Sequence, residues 1–124
     1  MIKGIGIDII EIDRIKSAVR KYGDFFLKRV FTAKELKYCS GSKVWRYPEL
    51  SVRFAAKEAY SKAQGIGING FGRKNAGLSW KDIEIINDAR GKPLIAFKGK
   101  RSKKVQVSLS HSHDYAIAAV YVEK

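Results

Sequence analysis

Pro48 and Gly65 bracket the segment that most limits how this chain can fold. Proline suits the first turn of a helix, and glycine suits the left-handed residue that ends one. Between them runs Arg53-Phe-Ala-Ala-Lys57-Glu58-Ala-Tyr-Ser-Lys62-Ala-Gln-Gly65, which reads as part of one long helix. Ala55, Ala56, Ala59 and Ala63 are small enough to let that helix pack closely on a neighbour. Glu58, Ser61, Lys62 and Gly65 fall at i, i+3, i+4 and i+7. That spacing places a carboxylate, a hydroxyl, an ammonium and a bare backbone on one face. A carboxylate can hold a hard metal ion, and an ammonium beside it can hold a phosphate that the metal bridges. The same spacing also describes an ordinary surface Glu–Lys pair, contributing about 0.3–0.5 kcal/mol.

The rest of the chain reads as α+β with an antiparallel sheet. Ile2 to Ile10 is an apolar, β-branched run predicted to be a strand buried on both faces. Asp8 lies inside it. A carboxylate among isoleucines is costly unless paired or metal-bound; the alternative is an acid at the strand end, solvated or capping the next turn. From about Asp13 to Tyr22 the pattern turns helical, with Asp13 as N-cap and Ile12, Ile15 and Val19 on one side. Arg14, Ala18 and Lys21 share another side, beside Lys16 and Arg20. Phe25 to Tyr38 reads as one or two short helices, with Thr32 and Glu35 in a capping-box pattern. Residues 40 to 48 read as a loop, and Gly65 to Gly77 as a glycine-rich one. Strands are expected at Ser79–Ile86 (with its lead-in), Leu94–Phe97, Val105–Ser110 and Tyr115–Val122, the last one buried.

Length and composition narrow the function classes. A chain of 124 residues is one domain, able to bury a core without disulfides. A single cysteine, Cys39, excludes an internal disulfide framework and fits a reducing cytoplasm. No apolar run approaches the roughly 20 residues of a membrane span. The N-terminus, with Lys3 and Asp8, does not read as a signal peptide, so a cytoplasmic location is expected. The net charge of +13 calls for a polyanionic partner without saying which.

Several motifs invite readings that their context rejects. Gly65-Ile-Gly67-Ile-Asn-Gly70 matches the dinucleotide fingerprint, but that fingerprint needs a strand before it and a helix after it. Here a helix precedes and a loop follows, so a helix exit whose backbone can approach a phosphate is the better reading. His111 and His113 lack the further nitrogen or sulfur ligands zinc requires. A hydrogen bond from His111 to a phosphate or ribose fits better, and His113 reads as a surface residue. Cys39 has no evident base beside it, which argues against a nucleophilic hydrolase. Lys98-Gly-Lys-Arg-Ser-Lys-Lys104 carries five basic residues in seven. It fits a solvated hairpin turn better than a nucleic-acid contact, since no aromatic residues interleave.

Three segments in register carry a resemblance. Gly6-Ile-Asp8, Phe54-Ala-Ala-Lys57-Glu58-Ala-Tyr-Ser-Lys62 and Ser108-Leu-Ser-His111-Ser resemble the short bacterial holo-[acyl-carrier-protein] synthases of the 4′-phosphopantetheinyl transferase superfamily. Phe31-Thr-Ala-Lys-Glu35-Leu and Gly91-Lys-Pro93 extend the likeness along the chain. The resemblance implies a 4′-phosphopantetheinyl transferase-like fold and a homotrimer with its site between subunits. It implies transfer of 4′-phosphopantetheine from coenzyme A to a serine of apo acyl carrier protein, releasing adenosine 3′,5′-bisphosphate. It implies Mg²⁺ held by Asp8 and Glu58, with Lys62 neutralising the pyrophosphate. Arg53 and His111 would contact the nucleotide end, the bare backbone at Gly65 is a further candidate contact to coenzyme A, and Glu58 or a metal-bound water would take the serine proton. Arg14 and Lys21 would meet the acidic carrier protein. The Asn69 to Gly77 loop is longer and more basic than the family leads one to expect. Two other readings compete: a small basic nucleic-acid-binding module, and a coenzyme A sensor that binds without transferring.

Overall fold

The computed structural model describes residues 1–69 and 77–124 of the chain. The loop singled out at Asn69 to Gly77 therefore lies largely outside the described residues. Element order is β1 (Ile2–Glu11), α1 (Ile12–Tyr22), α2 (Asp24–Val30), α3 (Ala33–Cys39), α4 (Tyr47–Gln64), β2 (Ile68–Asn69) and β3 (Leu78–Ser79). A single 3₁₀ turn, Trp80–Asp82, leads into β4 (Ile83–Asn87), β5 (Pro93–Phe97), β6 (Lys100–Arg101), β7 (Val105–His111) and β8 (Tyr115–Glu123). The expected α+β class holds. Two antiparallel sheets form, ordered β1-β8-β7 and β4-β5-β6, with a short parallel pairing of β2 and β3.

Helix α4 is the axis of the molecule. Pro48 sits in its first turn and Gly65 closes it at φ +72°, as the sequence led one to expect. Its alanines Ala55, Ala56, Ala59 and Ala63 are all buried. They lie against β1, whose Gly4 and Gly6 touch the helix backbone directly. A Cβ on Gly4 would stand 1.9 Å from the Ala63 carbonyl oxygen, and one on Gly6 would stand 1.8 Å from that of Ala59. Neither carbonyl can yield without moving the helix, so both positions exclude any side chain.

That close approach corrects one expectation. β1 is not buried on both faces. Gly4, Gly6, Asp8 and Ile10 face α4, whereas Ile5, Ile7 and Ile9 on the opposite face are 64%, 58% and 61% exposed. β8 likewise buries one face only, through Ala116, Ala118, Val120 and Val122. A second correction concerns α1. Glu11 takes the cap position without a side-chain bond, and Asp13 lies two residues past it, in the first turn. There a carboxylate still favours the positive end of the helix dipole.

A buried ion pair ties the smaller helices to α4. The Lys57 ammonium donates to Glu35 Oε1 at 2.6 Å, to the Val30 carbonyl at 2.7 Å and to the Trp80 carbonyl at 3.1 Å. All three of its hydrogens are thus used. Glu35 also accepts from the Thr32 and Ile85 backbone N–H groups at 2.9 and 2.7 Å. The Thr32–Glu35 capping box read from sequence is present. Both side chains of the pair are fully buried. Burial depresses the Lys57 pKa, and Glu35 works against that shift.

Two predictions follow from this packing. Lys57→Ala leaves the Glu35 carboxylate buried without its cation and is expected to cost about 3–5 kcal/mol. A urea titration showing a loss under 1 kcal/mol would refute the assignment. The second concerns Cys39, which is buried and whose thiol is pushed up to about 11, chiefly by burial. Its folded pKa lies above the unfolded value, so this contribution to stability is intact below about pH 9. It is lost as the pH rises from about 9 towards 11. The native thiol is expected to resist alkylation at pH 8 and to react once the chain unfolds. Rapid native labelling would contradict this burial.

Candidate functional site

Asp8 lies mid-strand, opposite Ala118 of β8, and not at the strand end. Its alternation with Gly4 and Gly6 turns it to the α4 side. There Lys62 reaches it, with Nζ 3.0 Å from Asp8 Oδ1 and 3.0 Å from the Ile7 carbonyl oxygen. Asp8 is 17% exposed and Lys62 53%, so the pair opens to solvent on the lysine side. Glu58, half-buried one helical turn before Lys62, has its pKa raised. Burial is the main cause and the neighbouring Asp8 carboxylate the second, partly offset by Lys62.

Asp8, Glu58 and Lys62 are thus neighbours on the contact between β1 and α4. Ser61 does not join them. Its side chain is buried and donates to the Glu58 carbonyl oxygen at 2.7 Å. Gly65 is exposed beside the cluster, where its positive φ alone accounts for the glycine.

Two neighbouring carboxylates, one of them disfavoured as an anion by burial and by the other's charge, attract a cation. Among the described residues no cluster of three or more acidic, histidine or cysteine side chains could hold a metal ion. The donor set therefore fits a hard ion that takes few protein ligands and fills its remaining positions with water or phosphate oxygens. It does not fit a structural zinc.

Arg53 and His111 form a separate cluster. Arg53 is only 2% exposed. It donates to the Glu49 carbonyl oxygen at 3.1 Å and to Asn87 Oδ1 at 2.7 Å, and its guanidinium lies 4.2 Å from the Tyr38 ring centroid. Its Nε is buried without a hydrogen-bond partner. His111, at the end of β7, places Nε2 3.8 Å from Glu49 Oε1. A cavity of about 240 Å³ opens between these groups, lined also by Gly91, Pro93 and Ser110. Glu49, Asn87 and Tyr38 escaped sequence reasoning. Glu49 and Arg53 stand at i and i+4, which was legible, whereas Asn87 and Tyr38 arrive through tertiary packing.

The two clusters face apart. On a helix advancing about 100° per residue, Glu58 and Lys62 point roughly 140° and 180° away from Arg53. β1, carrying Asp8, and β7, carrying His111, are opposite edges of one sheet. His113 stands in the turn after β7, exposed, 3.1 Å from Asp114.

A third feature lies on α1 and α2. Arg14 and Lys21 are exposed on α1, as expected. Beside them Ala18, Tyr22, Phe25, Phe26 and Arg29 line a largely apolar groove of about 360 Å³. Phe25 is 69% exposed.

The chain matches the family model of the 4′-phosphopantetheinyl transferase superfamily over residues 4–120. It is 47% identical over 123 residues to a holo-[acyl-carrier-protein] synthase of Chloroherpeton thalassium, covering 96% of each chain. Among solved structures it resembles the holo-(acyl-carrier-protein) synthase of Bacillus anthracis in complex with CoA (3′,5′-ADP). There the identity is 43% and the TM-score 0.79, over 100% of this chain and 98% of that one. The Neisseria meningitidis holo-[acyl-carrier-protein] synthase gives a TM-score of 0.81 at 36% identity, over 100% of both chains. An expected family resemblance is thereby met over nearly the whole length, and the chain belongs to the holo-[acyl-carrier-protein] synthases, enzymes of the 4′-phosphopantetheinyl transferase superfamily.

Proposed function

We propose that this enzyme transfers the 4′-phosphopantetheine group of coenzyme A to a serine of apo acyl carrier protein, releasing adenosine 3′,5′-bisphosphate, as a step serving fatty acid biosynthesis in the cytoplasm. The observation that carries the reading is the Asp8–Glu58–Lys62 cluster on the contact between β1 and α4. The Bacillus anthracis relative is described in complex with CoA (3′,5′-ADP), which supports coenzyme A as donor.

In this reaction a bond forms from the serine oxygen to the β-phosphorus of coenzyme A. The bond from that phosphorus to the oxygen leading to the nucleotide breaks, and the serine proton must leave. Asp8 and Glu58 would hold Mg²⁺, which when bound supplies charge neutralisation at the pyrophosphate and at the leaving phosphate. Lys62, already paired to Asp8, adds a mobile positive charge for the pyrophosphate oxygens. Glu58, facing the β1 contact beside Asp8, is the candidate to accept the serine proton, directly or through a water it orients. Arg53 and His111 would take the nucleotide end.

Two observations support a working unit of more than one copy, which the family resemblance makes a homotrimer. The Arg53–His111 cluster and the carboxylate cluster diverge within one chain, so one substrate touching both calls for a second copy. Ile5, Ile7 and Ile9 present an apolar strip that a copy of the chain would cover. Arg14 and Lys21, flanking the exposed Phe25, offer charge and apolar surface together to a small acidic protein. A nucleic-acid-binding module would account for the charge of +13. It gives no reason for two carboxylates pressed together under a helix.

The deciding experiment is the intact mass of apo acyl carrier protein after incubation with the enzyme, coenzyme A and Mg²⁺, with and without EDTA. A gain of one phosphopantetheine that EDTA abolishes is expected; no gain with a competent carrier protein would overturn the reading. Asp8→Asn and Glu58→Gln are each expected to abolish the gain with the fold intact by circular dichroism, and near-normal turnover by both would sink the metal assignment. Arg14→Glu is expected to weaken carrier-protein binding at least tenfold, in a salt-dependent manner, while coenzyme A binding stays within twofold (about 1.4 kcal/mol per decade). Equal losses for both substrates would contradict that division of labour. Light scattering should give three chain masses, and a fully active monomer would refute the trimer.

A further inference from the structure

The Arg53 pocket contains a negative charge for which the proposed reaction has no use. Glu49 stands in the first turn of α4, its side chain 24% exposed. Its carboxylate lies 3.8 Å from Arg46 Nη2, 3.7 Å from Arg53 Nη1 and 3.8 Å from His111 Nε2. Direct charge-assisted hydrogen bonds run at about 2.7–2.9 Å. The carboxylate is therefore shared among three basic groups and bonded closely to none of them.

Those groups are held in place by other contacts. Arg53 is fixed by the main-chain oxygen of Glu49, by Asn87 and by the Tyr38 ring. Arg46 donates from Nη1 to the Tyr38 carbonyl at 2.9 Å, and its backbone N–H donates to the Cys39 carbonyl at 2.8 Å. His111 Nδ1 lies 3.4 Å from the Ser112 carbonyl oxygen. Removing the Glu49 charge would leave this scaffold standing. Arg53 Nε, buried and without a partner among the described residues, marks a donor that none of them satisfies.

We infer that Glu49 is an internal placeholder for an anionic ligand, a carboxylate sitting among the basic groups that a nucleotide phosphate would engage. This rests on the reading above, in which Arg53 and His111 take the nucleotide end of coenzyme A. A phosphate arriving there meets Glu49 as a like charge and competes with it for the same cations. Glu49 thereby weakens nucleotide binding, donor and bisphosphate product alike, and hastens product departure.

The test is calorimetric binding of adenosine 3′,5′-bisphosphate to the full chain and to Glu49→Gln and Glu49→Ala. Both variants are expected to bind about tenfold more tightly at low salt, with the gain shrinking as ionic strength rises. Thermal melting checks that each variant is folded, and because both lose the charge, either one alone reads the effect. Equal or weaker binding by the variants, with wild-type binding intact, would overturn the placeholder and leave the proposed reaction standing. Wild-type protein that binds neither the bisphosphate nor coenzyme A would overturn both.

Discussion

A single ammonium, that of Lys57, ties α2, α3 and the 3₁₀ turn to α4. It satisfies carbonyls from α2 and the 3₁₀ turn and a carboxylate from α3, while that carboxylate anchors β4 through Ile85. Groups from α2, α3, the 3₁₀ turn and β4 converge on α4 at one fully buried point. Replacing the whole pair by apolar residues could preserve stability, as buried pairs often tolerate. What the pair adds is position: its five directed bonds leave α4 no freedom to rotate. The rotation of α4 decides whether Glu58 faces Asp8.

Position along the other axis comes from β1. Glycine at positions 4 and 6 lets strand and helix meet backbone to backbone. The same contact half-buries Glu58 beside Asp8, and burial first, the Asp8 charge second, raises the Glu58 pKa. A strained electrostatic arrangement is thus sustained by packing that is itself well satisfied.

Much of this was legible in the residues. Pro48 and Gly65 marked the helix, the alanines marked its packing face, and Glu58 with Lys62 marked the candidate site. Thr32 and Glu35 marked their cap. The exposure of Ile5, Ile7 and Ile9 was not legible, because an unbroken isoleucine-rich run reads alike whether its second face meets a helix, another chain or solvent. Nor was the role of Glu35 beyond the cap, since Lys57 lies 22 residues away and only the tertiary fold joins them. Asn87 and Tyr38 gather around Arg53 for the same reason. Local chemistry was written locally, and convergence across the fold was not.

The contact between β1 and α4 also acts as a ruler. With no side chain at Gly4 or Gly6, the strand already stands as near the helix as two backbones permit, so the backbone spacing that carries Asp8 and Glu58 can widen but not narrow. Any residue larger than glycine at either position pushes the carboxylates apart. Small divalent ions such as Mg²⁺ bind oxygen at about 2.0–2.1 Å, and larger ones such as Ca²⁺ at about 2.3–2.6 Å. A cation site on this contact would therefore have its size preference written into the backbone, and drift at either glycine would shift it in one direction only, towards the larger ion.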